Sequence, residues 1–287
     1  MDQIKPEQVT PTELVAEAVE LAKKKAELHT GDLLIRGMLA GALLGIATSL
    51  AFVAVAQGVP ALVGAIIFPV GFVMLVLLGQ ELATGNFALL PMGMMAGKVR
   101  WSGLLRNWTW VYVGNLAGSV LYAALFYLSV TNGGRSDGGA LAELFRQAAQ
   151  KKTPGYMAMG ASGWTTALVR GMLCNWMVTL GALMSLASRS TVGKVLLMWL
   201  PITTFFALGF EHSIVNMYVI PTGMLMGAPV PFAKWWLWNQ VPVTLGNIVS
   251  ATLFTGLPLF VSYYRKPAQP IAPAMLIERP GESATAS

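Results

Sequence analysis

Apolar residues in this chain come in long runs rather than in the short alternations or narrow stripes of a soluble domain. One run extends from Leu33 to Val55. A second goes from Ala61 to Leu78 and resumes as Phe87 to Ala96. Others cover Trp108 to Val130, Ser162 to Ser185, Val195 to Val230 and Trp235 to Tyr263. A helix needs about 20 mostly apolar residues to cross a bilayer. The pattern therefore predicts an all-α polytopic membrane protein with six transmembrane helices. Ahead of them, Thr10-Pro11-Thr12-Glu13 has the form of a capping box with Pro at the first helical position. Leu14, Val15, Ala18, Val19, Leu21 and Ala22 then fall on one side, with Glu17, Glu20, Lys23 and Lys24 opposite. That is an amphipathic helix of about five turns, expected at the cytoplasmic membrane surface and ending near His29-Thr30-Gly31. Thr131 to Thr153 reads as a long polar segment outside the membrane, and the Pro- and Ala-rich stretch from Pro267 as a disordered tail. The implied domains are an N-terminal helix (1–32), a membrane domain (33–266) and a cytoplasmic tail (267–287).

Two of the runs are interrupted by polar residues. Inside Val195 to Val230 stand Glu211, His212 and Asn216, with Gly209 before them and Pro221 and Gly223 after. Ionisable groups at bilayer depth are costly, so they are read as a functional site. A helix can break there only where irregular backbone is buried in protein or lines an aqueous cavity. The second run is interrupted in the same way by Gly79-Gln80-Glu81-Leu82-Ala83-Thr84-Gly85-Asn86.

The likeness between the interruptions is an internal repeat. Gly79, Glu81, Asn86, Pro91, Gly93, Met94 and Gly97 recur 130 positions later as Gly209, Glu211, Asn216, Pro221, Gly223, Met224 and Gly227. Arg36-Gly37-Met38-Leu39 recurs in Arg170-Gly171-Met172-Leu173, and Gly114-Asn115-Leu116 in Gly246-Asn247-Ile248. Each half holds three spans, so the second enters the membrane from the opposite side. This predicts a 3+3 inverted repeat with broken helices 2 and 5 facing each other near the midplane, the arrangement that builds transport sites. Glu81 and Glu211, with Asn86 and Asn216, are expected to bond the amides freed at the breaks. The repeat fails at two places: His212 has Leu82 as its mate, and Thr84 has Ile214. Those two are the candidates that fold symmetry does not explain.

Composition narrows the function. The chain is 55% hydrophobic and 11% charged, against about a quarter charged in soluble domains. Its net charge of +6 sits in Lys23, Lys24, Lys25 and Arg36, then Lys98, Arg100 and Arg106, then Arg189 and Lys194, then Arg265 and Lys266. These flank apolar runs on one side of the membrane, which is the positive-inside pattern and not a nucleic-acid-binding face. Both termini come out cytoplasmic, and the polar first thirty residues do not read as a cleavable signal peptide. The single cysteine, Cys174, excludes an intrachain disulfide and a cysteine-built metal site. Of the two histidines, His29 reads as an exposed helix-end residue. With no Gly-rich nucleotide loop or ligand cluster, neither an enzyme nor a cofactor is expected.

Phe-Glu-His-Ser-Ile-Val-Asn-Met-Tyr at 210–218 with Ile220-Pro221-Thr222-Gly223, Leu173-Cys174-Asn175-Trp176-Met177-Val178, Phe68-Pro69-Val70-Gly71 and Glu81-Leu82-Ala83-Thr84-Gly85-Asn86 closely resemble the motifs of the formate/nitrite transporters. The resemblance covers roughly residues 11 to 266. It implies an aquaporin-like fold without sequence kinship to aquaporins, a homopentamer in the inner membrane with one pore per protomer, and small monovalent anions plus protons as cargo. It also implies a central His212 with Thr84 and Asn175 as hydrogen-bonding partners, and apolar constrictions involving Phe68, Phe72, Leu82 and Phe205. Many members carry a Lys where this chain has Met159, and Lys151, Lys152 or Arg170 are the replacements within reach. A channel for neutral solutes and a membrane enzyme are the competing readings.

Overall fold

The computed structural model describes residues 6–264, so Arg265-Lys266 and the expected tail at 267–287 lie outside the described residues. All regular structure there is helical, apart from an isolated bridge between Gln8 and Ser188. The capping box forms as its residues dictate. The Thr10 hydroxyl accepts from the Glu13 amide, the Glu13 carboxylate accepts from the Thr10 amide, and α1 runs Pro11–Glu27. Arg106 donates to the carbonyls of Ala26 and Leu28, placing a cation at the negative end of α1.

The apolar runs become α2 (Thr30–Ala56), α3 (Ala61–Ile67), α4 (Pro69–Leu77), α5 (Ala83–Met95) and α6 (Trp101–Val130) in the first half. After α7 (Gly139–Lys152) and α8 (Pro154–Ala158) come α9 (Ala161–Met184), α10 (Thr191–Ala207) and α11 (Ser213–Leu225). The last helical stretch, Phe232–Tyr263, joins α12 (Phe232–Trp235), α13 (Val241–Ser250) and α14 (Leu257–Tyr263) through π-helical turns at Trp236–Gln240 and Ala251–Gly256. Among the described residues, four helical stretches are long and apolar enough to cross a membrane: Thr30–Ala56, Trp101–Val130, Ala161–Met184 and Phe232–Tyr263. The non-helical residues between α4 and α5, and between α10 and α11, are fewer than the sequence implied, because Ala83 to Asn86 and Ser213 to Asn216 already belong to the second helix of each pair.

Burial is inverted relative to a soluble protein. Ile35, Leu62, Leu196 and Leu200 are each 60% exposed or more, while Asn86, Asn107, Asn115, Asn175, Asn216, Asn239 and Asn247 are all but inaccessible. Apolar surface outside and mostly hydrogen-bonded polar groups inside suit a lipid environment. Small residues bring the helix axes together. A Cβ added at Gly118 would collide with the Met38 carbonyl oxygen, and one at Gly246 with that of Leu168. These glycines set how closely α6 approaches α2, and α13 approaches α9.

The segment 131–153 is not merely polar loop, because α7 fills much of it and buries Ala142, Phe145 and Ala149 completely. These residues recur at helical spacing, and Phe145 stacks on Phe52 at 4.4 Å between ring centroids. The amphipathic helix α1 forms with its apolar side turned onto protein. Val15, Ala18, Val19 and Ala22 are fully buried against α5, α6 and α14. Gly93 on α5 makes room for Ala22 of α1 as Gly223 on α11 makes room for Ala149 of α7.

Candidate functional site

Each interruption is held by a matching set of polar side chains. At the first, Asn115 on α6 accepts from the Ala83 amide (3.0 Å) and donates to the carbonyls of Gly37 (2.8 Å) and Glu81 (2.9 Å). At the second, Asn247 on α13 accepts from the Ser213 amide (3.0 Å) and donates to the carbonyls of Gly171 (2.8 Å) and Glu211 (3.1 Å). A carboxamide offers one acceptor and two donors, the complement of a broken helix that exposes both amides and carbonyls. The two asparagines thus do the work expected of the glutamates.

Glu81 and Glu211 instead carry buried charge with a counter-charge beside it. The Lys25 ammonium donates to Glu81 at 2.7 Å and the Lys152 ammonium to Glu211 at 2.7 Å. Asn86 donates to Glu81 (2.8 Å) and to Asn107 (2.8 Å), and Asn216 donates to Glu211 (2.7 Å) and to Asn239 (2.9 Å). Asn107 and Asn239 close the circuits on the carbonyls of Lys25 and Lys152. A carboxylate this deep needs a cation, which a backbone amide cannot supply. Lys25 comes from α1 and Lys152 from α7, so those helices are the source of both counter-charges. Tyr156 on α8 has no equivalent at the first interruption. Its hydroxyl donates to Glu211 at 2.8 Å, with the Arg170 guanidinium nearby. Met159, by contrast, is 52% exposed, and Lys152 rather than a residue at that position sits beside the second interruption.

Within this frame the starts of α5 and α11 meet. His212 Nε2 lies 3.1 Å from Thr84 Oγ1, and both residues are buried. His212 Nδ1 accepts from the Val215 amide at 3.2 Å, capping α11. That amide can only donate, so in the neutral ring the proton resides on Nε2 and points toward Thr84. The threonine accepts there and retains its own O–H as a donor.

Asn175 on α9 spends both amide hydrogens on the carbonyls of Thr84 (3.1 Å) and Asn247 (2.8 Å). Its Oδ1 and the Ser213 hydroxyl are buried without hydrogen-bond partners among the described residues. The Phe205 ring lies nearly parallel to that of His212, with centroids 5.7 Å apart, and Phe68 meets Phe205 edge-on at 5.7 Å. Phe72 and Leu82 belong to the same buried cluster as Phe68 and Phe205, and they line a cavity of about 310 Å³ whose wall also includes Lys25, Arg36 and Glu81. Among the described residues, no group of His, Cys, Asp or Glu is arranged to hold a metal.

A sequence model described as the formate/nitrite transporter matches residues 12–261. The chain belongs to that family. A probable formate transporter of Methanothermobacter thermautotrophicus is 33% identical over 276 residues, covering 90% of this chain and 98% of the relative. A solved ion channel of the family superposes with a TM-score of 0.77 at 26% identity, covering 88% of this chain and 99% of its own. A solved pentameric formate channel with formate bound superposes with a TM-score of 0.66 at 29% identity, covering 82% and 97%. Family membership and the exposed apolar helices make this a multi-pass membrane protein of a transporter family. The residues that sequence reading missed, Lys25, Asn107 and Asn239, lie outside the interruptions themselves. Only the spacing of eight shared by Asn107 and Asn115 and by Asn239 and Asn247 marked the two asparagines.

Proposed function

We propose that the chain conducts small monovalent weak-acid anions, of the formate or nitrite type, through a pore centred on His212 and Thr84. The observation that carries this reading is the buried 3.1 Å contact between them at the junction of two helix starts. An isolated anion entering an apolar passage faces an idealised desolvation cost of tens of kcal/mol. Two helix N-termini, one imidazole N–H and one hydroxyl are what lowers it here. Phe205, Phe68, Phe72 and Leu82 serve as the apolar constrictions on either side. Asn175, its hydrogens committed, positions the Thr84 turn rather than donating to the anion.

Proton coupling follows from the second ring nitrogen. When Nδ1 takes up a proton, it releases the Val215 amide and the ring becomes a cation that pairs with the anion. Transfer of one ring proton to the anion then gives the neutral acid, which crosses the apolar rings, and returns the ring to neutrality. The reading includes six spans in a 3+3 inverted repeat with broken helices 2 and 5, supported by the paired asparagine frames. It also includes a membrane domain at 33–266, cytoplasmic termini in the inner membrane, supported by the Lys and Arg placement, and a homopentamer, supported by the likeness to a pentameric channel.

The test is formate and nitrite flux into proteoliposomes, with and without a pH gradient. His212→Phe is expected to abolish pH-dependent flux while the assembly keeps its size. Unchanged flux and pH profile in that variant sinks the reading. Flux indifferent to both membrane potential and proton gradient would select a neutral-solute channel instead.

A further inference from the structure

The cavity on the α1 side carries more positive charge than its pairing requires. Lys25 is matched by Glu81 at 2.7 Å. Lys24 and Arg36, which line the same cavity, make no salt bridge or side-chain hydrogen bond among the described residues. The corresponding arginine of the second half, Arg170, instead lies near the Tyr156 hydroxyl, which donates to Glu211 at 2.8 Å. Gln80 adds a polar group at the rim whose Oε1 is buried and unpartnered. Most of the remaining wall, including Leu21, Phe72, Leu75 and Leu82, is apolar, with Asn86 and Ser185 as polar points. At about 310 Å³ the space is at the lower end for small-molecule sites.

From these features we infer that the cavity is a binding site for a short dicarboxylate. Two unpaired cations ask for two negative charges, and an apolar wall between them suits a methylene linker better than a compact oxyanion. The planar guanidinium of Arg36 takes one carboxylate in two parallel hydrogen bonds, and Lys24 takes the other. Leu82 is part of the apolar wall, and a dianion lodged against it cannot shed both charges to follow a monovalent anion through. The dicarboxylate is therefore a one-sided blocker of the pore, and this consequence rests on the transport reading above. Binding itself does not.

Two measurements separate those failures. Isothermal calorimetry with succinate on the purified, detergent-solubilised protein reads the site directly. Succinate is expected to bind, and Arg36→Gln to weaken binding about tenfold, the effect of losing one charge-assisted pair. Lys24→Gln, on an exposed position of α1, gives the same test without disturbing a membrane helix. Absence of binding, or unchanged affinity in both variants, overturns the inference. In proteoliposomes, succinate on the α1 side is expected to inhibit formate flux, and succinate on the other side to leave it alone. Arg170→Gln is the mirror control and should not change the half-inhibiting concentration. Equal inhibition from both sides, or accumulation of labelled succinate inside the vesicles, overturns the one-sided block. If no formate flux exists to inhibit while calorimetry still reports the site, the transport reading fails and this one stands.

Discussion

At Leu82 and at His212 the chain leaves one helix and begins the next with the same supports. An asparagine from a neighbouring helix bonds the first freed amide and two carbonyls, a lysine neutralises the glutamate, and a second asparagine pair closes the circuit. What differs is what stands at the junction. Leu82 makes no side-chain cap to α5, whereas His212 caps α11 through Nδ1 and turns Nε2 toward Thr84. Ile214 occupies the second half's equivalent of Thr84. The duplicated residues thus tie down the backbone at both interruptions, because both have the same unsatisfied groups. The unduplicated ones make the two junctions chemically different, and on the proposed reading that difference is where the anion is met.

Removing the support should matter most. Asn247→Ala strands the Ser213 amide and the Glu211 carbonyl, while the Gly171 carbonyl keeps its bond within α9. An orphaned buried polar group costs about 1–3 kcal/mol, so a loss of at least about 2 kcal/mol is expected. Asn115→Ala should cost about the same, because it strands the matching Ala83 amide and Glu81 carbonyl. Thermal unfolding of the detergent-solubilised protein measures both. A large loss at one site and none at the other would break the equivalence of the two frames.

Next comes a change that makes the junctions alike. His212→Leu copies the first interruption onto the second, leaving Asn247 and the Lys152–Glu211 pair untouched. It removes the Val215 cap, typically worth about 1 kcal/mol of stability. Its expected effect on formate flux is far larger, about a hundredfold loss, as when a preorganised donor to a charged species is removed. Flux within a few-fold of the unmodified protein would mean that the asymmetry at this position carries no function.

How far these roles were legible depends on whether a residue's partner lies nearby in the chain. Thr10 and Glu13 specify their cap within four residues, and it forms as expected. His212 and Thr84 stood out because each departs from a repeat that could be aligned by eye. The glutamates were visible for the same reason, but their job was misassigned. The sequence shows a carboxylate beside a break, and only the fold brings Lys25 and Lys152 to it from 56 and 59 positions away. Helix α7 is hard to read from the sequence because it is short and lies in a segment of mixed polar and charged residues. Its stripe of Ala142, Phe145 and Ala149 is short, and it gains meaning only once α1 is seen packing in the same manner.

The smallest effect is the most discriminating, because it tests the hydroxyl alone. Thr84 touches the site through one atom, Oγ1, while its carbonyl is bonded by Asn175 whatever side chain it carries. Thr84→Val keeps the branched shape and the α5 start but leaves His212 Nε2 without an acceptor. If the hydroxyl donates to the passing anion, flux should fall about tenfold, the value of one hydrogen bond to a charged group. Thr84→Ser restores the donor without the methyl and should recover most of the flux. A Val variant as active as the unmodified protein would reduce Thr84 to a resting partner of the imidazole. Equal losses in Val and Ser would assign the position to packing. Only a loss in Val rescued in Ser leaves the two-donor junction intact, and it would place the functional difference between the interruptions in a hydroxyl on one and an imidazole on the other.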